Sequence, residues 1–187
     1  MRLSAPDPPL ADGVVALRPW QAGDVPAIVA AIDGDPEIAT WLDAVPQPYR
    51  LVDAHDFVAQ CRRSWAEGIG TPFAILDADG NVAGSIGARF GDPLQAVAEV
   101  GYWVGRAARG RGVATRAVRL LARWLFDEVG IARVQLQADL RNEPSLRVAE
   151  KAGFTREGVL RSARFNERRG ERVDFVMFSL LPGELPD

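Results

Sequence analysis

The stretch Arg106-Ala107-Ala108-Arg109-Gly110-Arg111-Gly112-Val113-Ala114 decides the reading of this chain. Before it runs an apolar segment of strand character, Ala98 to Val104. After it, from Gly112 to about Val129, comes a helical period that puts Val113, Ala117, Leu120, Leu121, Trp124 and Leu125 on one face. Glycine at 110 and 112 lets the backbone turn tightly and come close to a ligand. The N–H groups at the start of a helix, together with its dipole, favour a phosphate or pyrophosphate. Arg109 and Arg111 can add charge-assisted bonds to such an anion.

Three phosphate-binding patterns compete for this stretch. A P-loop requires Gly-Lys-Ser/Thr, and the chain has no such triplet. A dinucleotide fingerprint requires G-x-G-x-x-G/A; Gly110 and Gly112 fit its first two positions, but position 115 is Thr. Hairpins ahead of the loop are also wrong for that fold. The third pattern is Arg/Gln-x-x-Gly-x-Gly/Ala, met by Arg109, Gly112 and Ala114. In this it resembles the pyrophosphate loop of the GNAT acyl-CoA N-acyltransferases.

Working outward, Val14 to Arg18 reads as a first strand stopped by Pro19, behind a loose Pro- and Asp-rich lead-in at 4–12. Asp24 with Pro26 caps a helix through Ile32. A second helical piece carries Ile38 and Trp41. A longer helix opens at Asp53 and closes at Gly68. Pro72 to Leu76 and Val82 to Phe90 form a hairpin around Asp77–Asn81. Past the central loop and helix come a strand at 133–138, a short helix from Glu143-Pro144 to Gly153, and two strands around the Asn166–Gly170 turn. The expected fold is mixed α/β, with a mostly antiparallel sheet flanked by helices. A single domain over 1–187 is expected, with no internal repeat and no linker.

Composition narrows the function classes. The 187 residues carry 22 basic and 25 acidic side chains, a formal charge of −3 that argues against a general nucleic-acid binder. The total hides an asymmetry. Residues 1–95 hold 6 Arg against 13 Asp/Glu, whereas 96–187 hold 15 Arg and 1 Lys against 12 Asp/Glu. The basic half contains the phosphate loop; the acidic half suits a cationic acceptor. A single Cys excludes an intrachain disulfide, and with a single His there is no Cys/His zinc site, so no metal is expected. Cys61 reads as core and His55 as solvent-facing. No run of ~18 apolar residues spans a membrane, and the N-terminus lacks a signal-peptide core, so a cytoplasmic protein is expected.

More than the loop carries the resemblance. Val15-Ala16-Leu17-Arg18-Pro19-Trp20 followed by Asp24, Glu99-Val100-Gly101-Tyr102-Trp103-Val104, Asn142-Glu143-Pro144-Ser145 and Glu150-Lys151-Ala152-Gly153-Phe154 look like the RimJ/RimL-type branch of the GNAT superfamily. The similarity covers about residues 13 to 181. It implies the GNAT fold, with two strands splayed at a cofactor cleft, and acetyl transfer from acetyl-CoA, as cosubstrate, to a primary amine. It also implies that pantetheine pairs with the backbone of Tyr102, Trp103 and Val104, and that the pyrophosphate lies on the N–H groups of Arg109, Gly110, Arg111, Gly112, Val113 and Ala114. By the same resemblance Asn142 contacts pantetheine or a water, and Ser145 sits near the sulfur as a proton donor.

Each role has a plainer alternative. Asn142 and Ser145, three apart, also suit a helix cap. Strand alternation points Glu99 into the groove with Gly101 and Trp103 as a candidate base, or leaves it a salt-bridged strand glutamate. Asp139 serves the acceptor or fixes its loop. Trp41, Trp65 and Trp103 line an acceptor groove or simply pack. By resemblance the acceptor is a protein N-terminus, such as that of a ribosomal protein. A small amine, such as an aminoglycoside or polyamine, is the second enzyme reading, and a non-catalytic acyl-CoA-binding module the third. A second copy of the chain is a candidate partner. The Arg-rich hairpin at 161–172 has no assigned role.

Overall fold

The computed structural model describes residues 3–186. Short strands β1 (Leu10–Ala11) and β2 (Ala16–Pro19) lead into helices α1 (Val25–Asp33), α2 (Pro36–Trp41) and α3 (Leu51–Glu67). Strands β3 (Gly70–Leu76), β4 (Val82–Phe90) and β5 (Val97–Val104) follow, then α4 (Val113–Trp124), β6 (Arg133–Asp139), α5 (Glu143–Ala152), β7 (Thr155–Asn166) and β8 (Glu171–Leu180). They form one sheet in the order β1-β2-β3-β4-β5-β6-β8-β7. Every neighbouring pair is antiparallel except β5 and β6, which run parallel because α4 carries the chain back across one face.

Alternation along the strands feeds two cores. Phe73 and Ile75 of β3 bury with Val100, Val134, Phe178 and the α4 side chains Val118 and Leu121. Ala74 of the same strand faces the other way, toward Ile28 of α1 and Val58 and Cys61 of α3. The face of α4 read from the sequence is the buried one: Val113, Ala117, Leu121 and Leu125 recur every fourth residue and are at most 5 % exposed.

Four local expectations change. The lead-in at 4–12 ends in β1, which pairs Leu10 with Leu17. Asp12 holds the turn by accepting from the N–H groups of Val14 and Val15, and Arg116 of α4 pins it at 2.8 Å. Asp24 stands at the start of α1 but does not cap it. Its carboxylate takes both ends of the Arg18 guanidinium at 2.8 Å and the Gln21 N–H, which hold its pKa below the usual carboxylate value against the opposing effect of burial. Helix α3 begins at Leu51, and Asp53 reaches back one turn to accept from the Arg50 N–H at 2.7 Å. The helix after the loop is α-helical only to Trp124. A wider π turn over Leu125–Val129 follows and ends at Gly130, which lets Leu125 and Ile131 both stay buried.

Candidate active site

The site begins where two parallel strands part. β5 and β6 pair from Val97 opposite Arg133 to Val100 opposite Leu136, and no further. Beyond that point β5 stays bonded to β4 as far as Val104, and β6 stays bonded to β8 as far as Asp139. The edges at 101–104 and 137–139 therefore face each other with no strand between them. That is the splay the resemblance implied. Gly101 lies at the fork, exposed, and a Cβ there would meet no atom within 4 Å. A glycine in a strand with open space beside it allows a ligand to lie against the backbone.

The loop at 106–114 sits at the end of β5. Gly110 and Gly112 adopt φ of +72° and +77°, left-handed values that side chains resist. A Cβ at either would also meet nothing within 4 Å. Gly112 immediately precedes α4, so the N–H groups of Val113 and Ala114 open the helix without a carbonyl partner inside it. The Val113 side chain is buried, so its N–H is what it can offer a ligand. Arg111 is exposed and makes no ion pair among the described residues. Left-handed glycines, free helix-start donors and open space together fit a pyrophosphate, and the splay fits a pantetheine arm.

The Arg109 guanidinium goes elsewhere. Its Nε donates to the Val104 carbonyl at 3.0 Å, and its two terminal nitrogens reach Glu37 at 2.6 Å and Asp35 at 2.5 Å. In this structure the side chain expected to reach a phosphate is bonded to protein carboxylates.

Asn142 and Ser145 frame the start of α5. The Asn142 Oδ1 accepts from the Ser145 N–H at 3.2 Å, so Asn142 is the helix cap. The Ser145 hydroxyl is free of that task and lies 2.9 Å from the Tyr102 hydroxyl. Tyr102 points to the α5 side of the sheet, against the core that holds Val100 and Val104. Burial pushes its pKa up to about 12, against the opposing pull of the Ser145 bond. Sequence reasoning used only the backbone of Tyr102. The alternation that put Glu99, Gly101 and Trp103 on one face already put Tyr102 on the other, the face that α5 covers.

Glu99 is on the opposite face, half-buried, with every lone-pair direction approached by a donor. Oε1 takes Arg89 at 3.1 Å and Arg164 at 3.5 Å; Oε2 takes Gln137 at 3.0 Å and Gln135 at 3.3 Å. With Gly101, Arg89, Phe57, Gln60 and Ser64 it lines a cavity of about 530 Å³ between α3 and the sheet. Trp103 shares this face and stacks near Trp20, with ring centroids 6.5 Å apart. Trp65 packs edge-on against Phe73 in the core. His55 is exposed, and the buried Cys61 thiol has its pKa pushed up to about 12 by burial.

The hairpin arginines close one side of this face. Arg169 bonds to the buried Asp139 at 2.8 Å and lies over the Trp41 ring at 5.3 Å. Arg168 donates to the Val45 carbonyl. Asp139 also accepts from the Arg141 N–H, so it fixes the β6–α5 turn. The β7–β8 tip thus packs on the segment around 41–45.

Residues 15–155 match the family described as the acetyltransferase (GNAT) domain. A Bacillus subtilis (strain 168) protein named "Putative ribosomal N-acetyltransferase YdaF" is 35 % identical over 154 residues, 82 % of this chain and 82 % of that one. An "Uncharacterized N-acetyltransferase p20" of Bacillus licheniformis is 29 % identical over 151 residues, 80 % of this chain and 83 % of that one. In fold, the chain is similar to Mycobacterium smegmatis RimJ in complex with CoA-disulfide, with a TM-score of 0.83 at 24 % identity over 94 % of this chain and 85 % of that one. The chain belongs to the GNAT family of acetyltransferases.

Proposed function

We propose that this enzyme acetylates the N-terminal amine of a protein, with acetyl-CoA held in the splay and its pyrophosphate on the 110–114 N–H groups. The observation that carries the reading is the fork at Gly101, where β5 parts from β6 with open space at the glycine and leads on to a helix-start anion loop. Bound acetyl-CoA supplies the thioester that the amine attacks. The chain's own residues do the rest. A backbone N–H on the free edge at 102–104 is placed to polarise an acyl carbonyl, the task of an oxyanion hole. Ser145 donates a proton to the departing sulfur and regains one from solvent, while the proton lost by the amine goes to the base described below. In this reading Tyr102 is the donor in the 2.9 Å contact between the two hydroxyls, which frees the serine proton for the sulfur.

Glu99 is the proposed base. Its four donors already share the carboxylate, so it accepts a proton only as one of the glutamines gives way. That arrangement suits an acceptor that needs little help. An α-amino group, with a pKa of ~7.7–8.0, is about half or more neutral near pH 8, whereas a lysine amine at ~10.4 is almost wholly protonated. The name carried by the Bacillus subtilis relative supports the same class of acceptor. A cytoplasmic location goes with it.

A thiol-release assay with acetyl-CoA and three acceptor sets tests the reading. Peptides with a free α-amine are expected to turn over, and the same peptides with a blocked N-terminus and an internal lysine are not. Turnover of polyamines or aminoglycosides alone would replace the acceptor and leave the transferase standing. Glu99→Gln is expected to lower kcat at pH 6.5 by more than about tenfold and to recover above pH 9, where the amine is already neutral. An equal loss at both pH values would remove Glu99 from the base role.

A further inference from the structure

We propose that Arg109 is a positioning residue, the bolt of a closed belt of contacts that joins the two splayed strand ends around the acceptor side. Through this belt, CoA in the loop orders α2. The inference rests on the acetyl-CoA reading above and goes beyond it, since it ties the cofactor loop to the acceptor flank.

The belt runs through named contacts. It starts at the end of β5, where the Val104 carbonyl accepts from Arg109 Nε at 3.0 Å. Arg109 passes it to α2 through Asp35 at 2.5 Å and Glu37 at 2.6 Å. At the other end of α2, Trp41 lies under the Arg169 guanidinium. Arg169 returns it to the end of β6 by bonding Asp139 at 2.8 Å. Val104 and Asp139 are the last residues of the two strands that part at the fork.

Asp35 shows that the Arg109 link is more than a surface pairing. Its side chain is 1 % exposed. It stands at the position before α2 where an aspartate normally caps the helix, yet it makes no capping bond. Neither of its oxygens makes a well-directed hydrogen bond among the described residues, so its charge is balanced by Arg109 and, at 3.6 Å, by Arg106. A buried carboxylate follows its counter-charge, because separating them leaves an uncompensated ion in a dry site. Arg109 is bonded to Gly110, whose left-handed turn starts the anion loop. A shift of that loop onto a phosphate therefore moves Arg109, and Asp35 with it.

Hydrogen–deuterium exchange with coenzyme A as the probe tests this on the full chain. In the wild type, CoA is expected to slow exchange at 110–115 and also at 33–41. Asp35→Asn keeps shape and removes the charge. It should bind CoA within about threefold of wild type by calorimetry, a coupling weaker than the roughly 5–150-fold of most allosteric links, keep the protection at 110–115 and lose it at 33–41. Should Asp35→Asn fold poorly, the charge-neutral pair Asp35→Asn/Arg109→Gln gives the same readout. Retained protection at 33–41 in these variants overturns the belt. So does a more than tenfold loss of CoA affinity in the pair variant, which would make the Arg109 guanidinium a phosphate ligand. No CoA binding by the wild type would overturn the acetyl-CoA reading itself, a result distinct from either.

Discussion

The Tyr102 and Ser145 hydroxyls lie 2.9 Å apart although 43 positions separate them in the chain. Ser145 was legible because Asn142-Glu143-Pro144-Ser145 announces a helix start. Tyr102 was not, because only the packing of α5 on one sheet face brings the two together. Arg109 shows the opposite limit: its place in the motif was legible, but the direction of its side chain depended on Asp35 and Glu37, more than seventy positions earlier. At this scale the account predicts an unequal pair of losses. Ser145→Ala removes the proton donor and should lower kcat about a hundredfold. Tyr102→Phe removes one hydrogen bond and should lower it about fivefold. The double variant should be no slower than Ser145→Ala, with the KM for acetyl-CoA unchanged in all three. Because burial holds the Tyr102 pKa at about 12, its contribution should not titrate between pH 6 and 10. Additive losses would mean that the two hydroxyls act separately.

Among the elements, the β4–β5 pair holds the fork in place. A Cβ at Gly84 would lie 2.3 Å from the Trp103 carbonyl and 3.0 Å from the Val104 Cα, both backbone atoms that cannot swing aside. Gly84→Ala should therefore push β5 off β4 at the point where β5 has already left β6. We expect a loss of about 1–3 kcal/mol in urea unfolding, together with weaker acetyl-CoA binding. Gly101→Ala, with open space at its Cβ, should leave unfolding close to wild type and weaken acetyl-CoA binding alone. If both variants change stability equally, β4 does not set the fork. Strands, hairpins and the α4 face were legible at this scale, since each follows from local period and turn residues. Helix starts were less so. Asp24 and Asp53 had suitable capping chemistry, but Asp24 was drawn to Arg18, while Asp53 serves from one turn inside its helix. The β5–β6 fork has no local signature; only the resemblance pointed to it.

Across the whole molecule, the charge split between the two halves is partly settled internally. Asp35 and Glu37 meet Arg109, and Asp12 meets Arg116, so acidic residues of the first half neutralise basic residues of the second. Arg111, exposed and unpaired among the described residues, is left facing solvent in the loop. The hairpin arginines that had no assigned role hold Glu99, Asp139 and the Val45 carbonyl, and Arg172 bonds Ser162 across the hairpin. They bind the last two strands to the acceptor flank. The central claim is that the 110–114 loop carries the CoA pyrophosphate. Thermal unfolding of the wild type and of Gly112→Glu, each with and without saturating acetyl-CoA, tests it most directly. At a hundred times Kd, linkage stabilises by about 2.7 kcal/mol, or roughly 5–10 °C for a chain of this size. The wild type should show that rise, and Gly112→Glu, with a carboxylate in the anion loop, should show none. A rise of equal size in both proteins, or in neither, would contradict the claim.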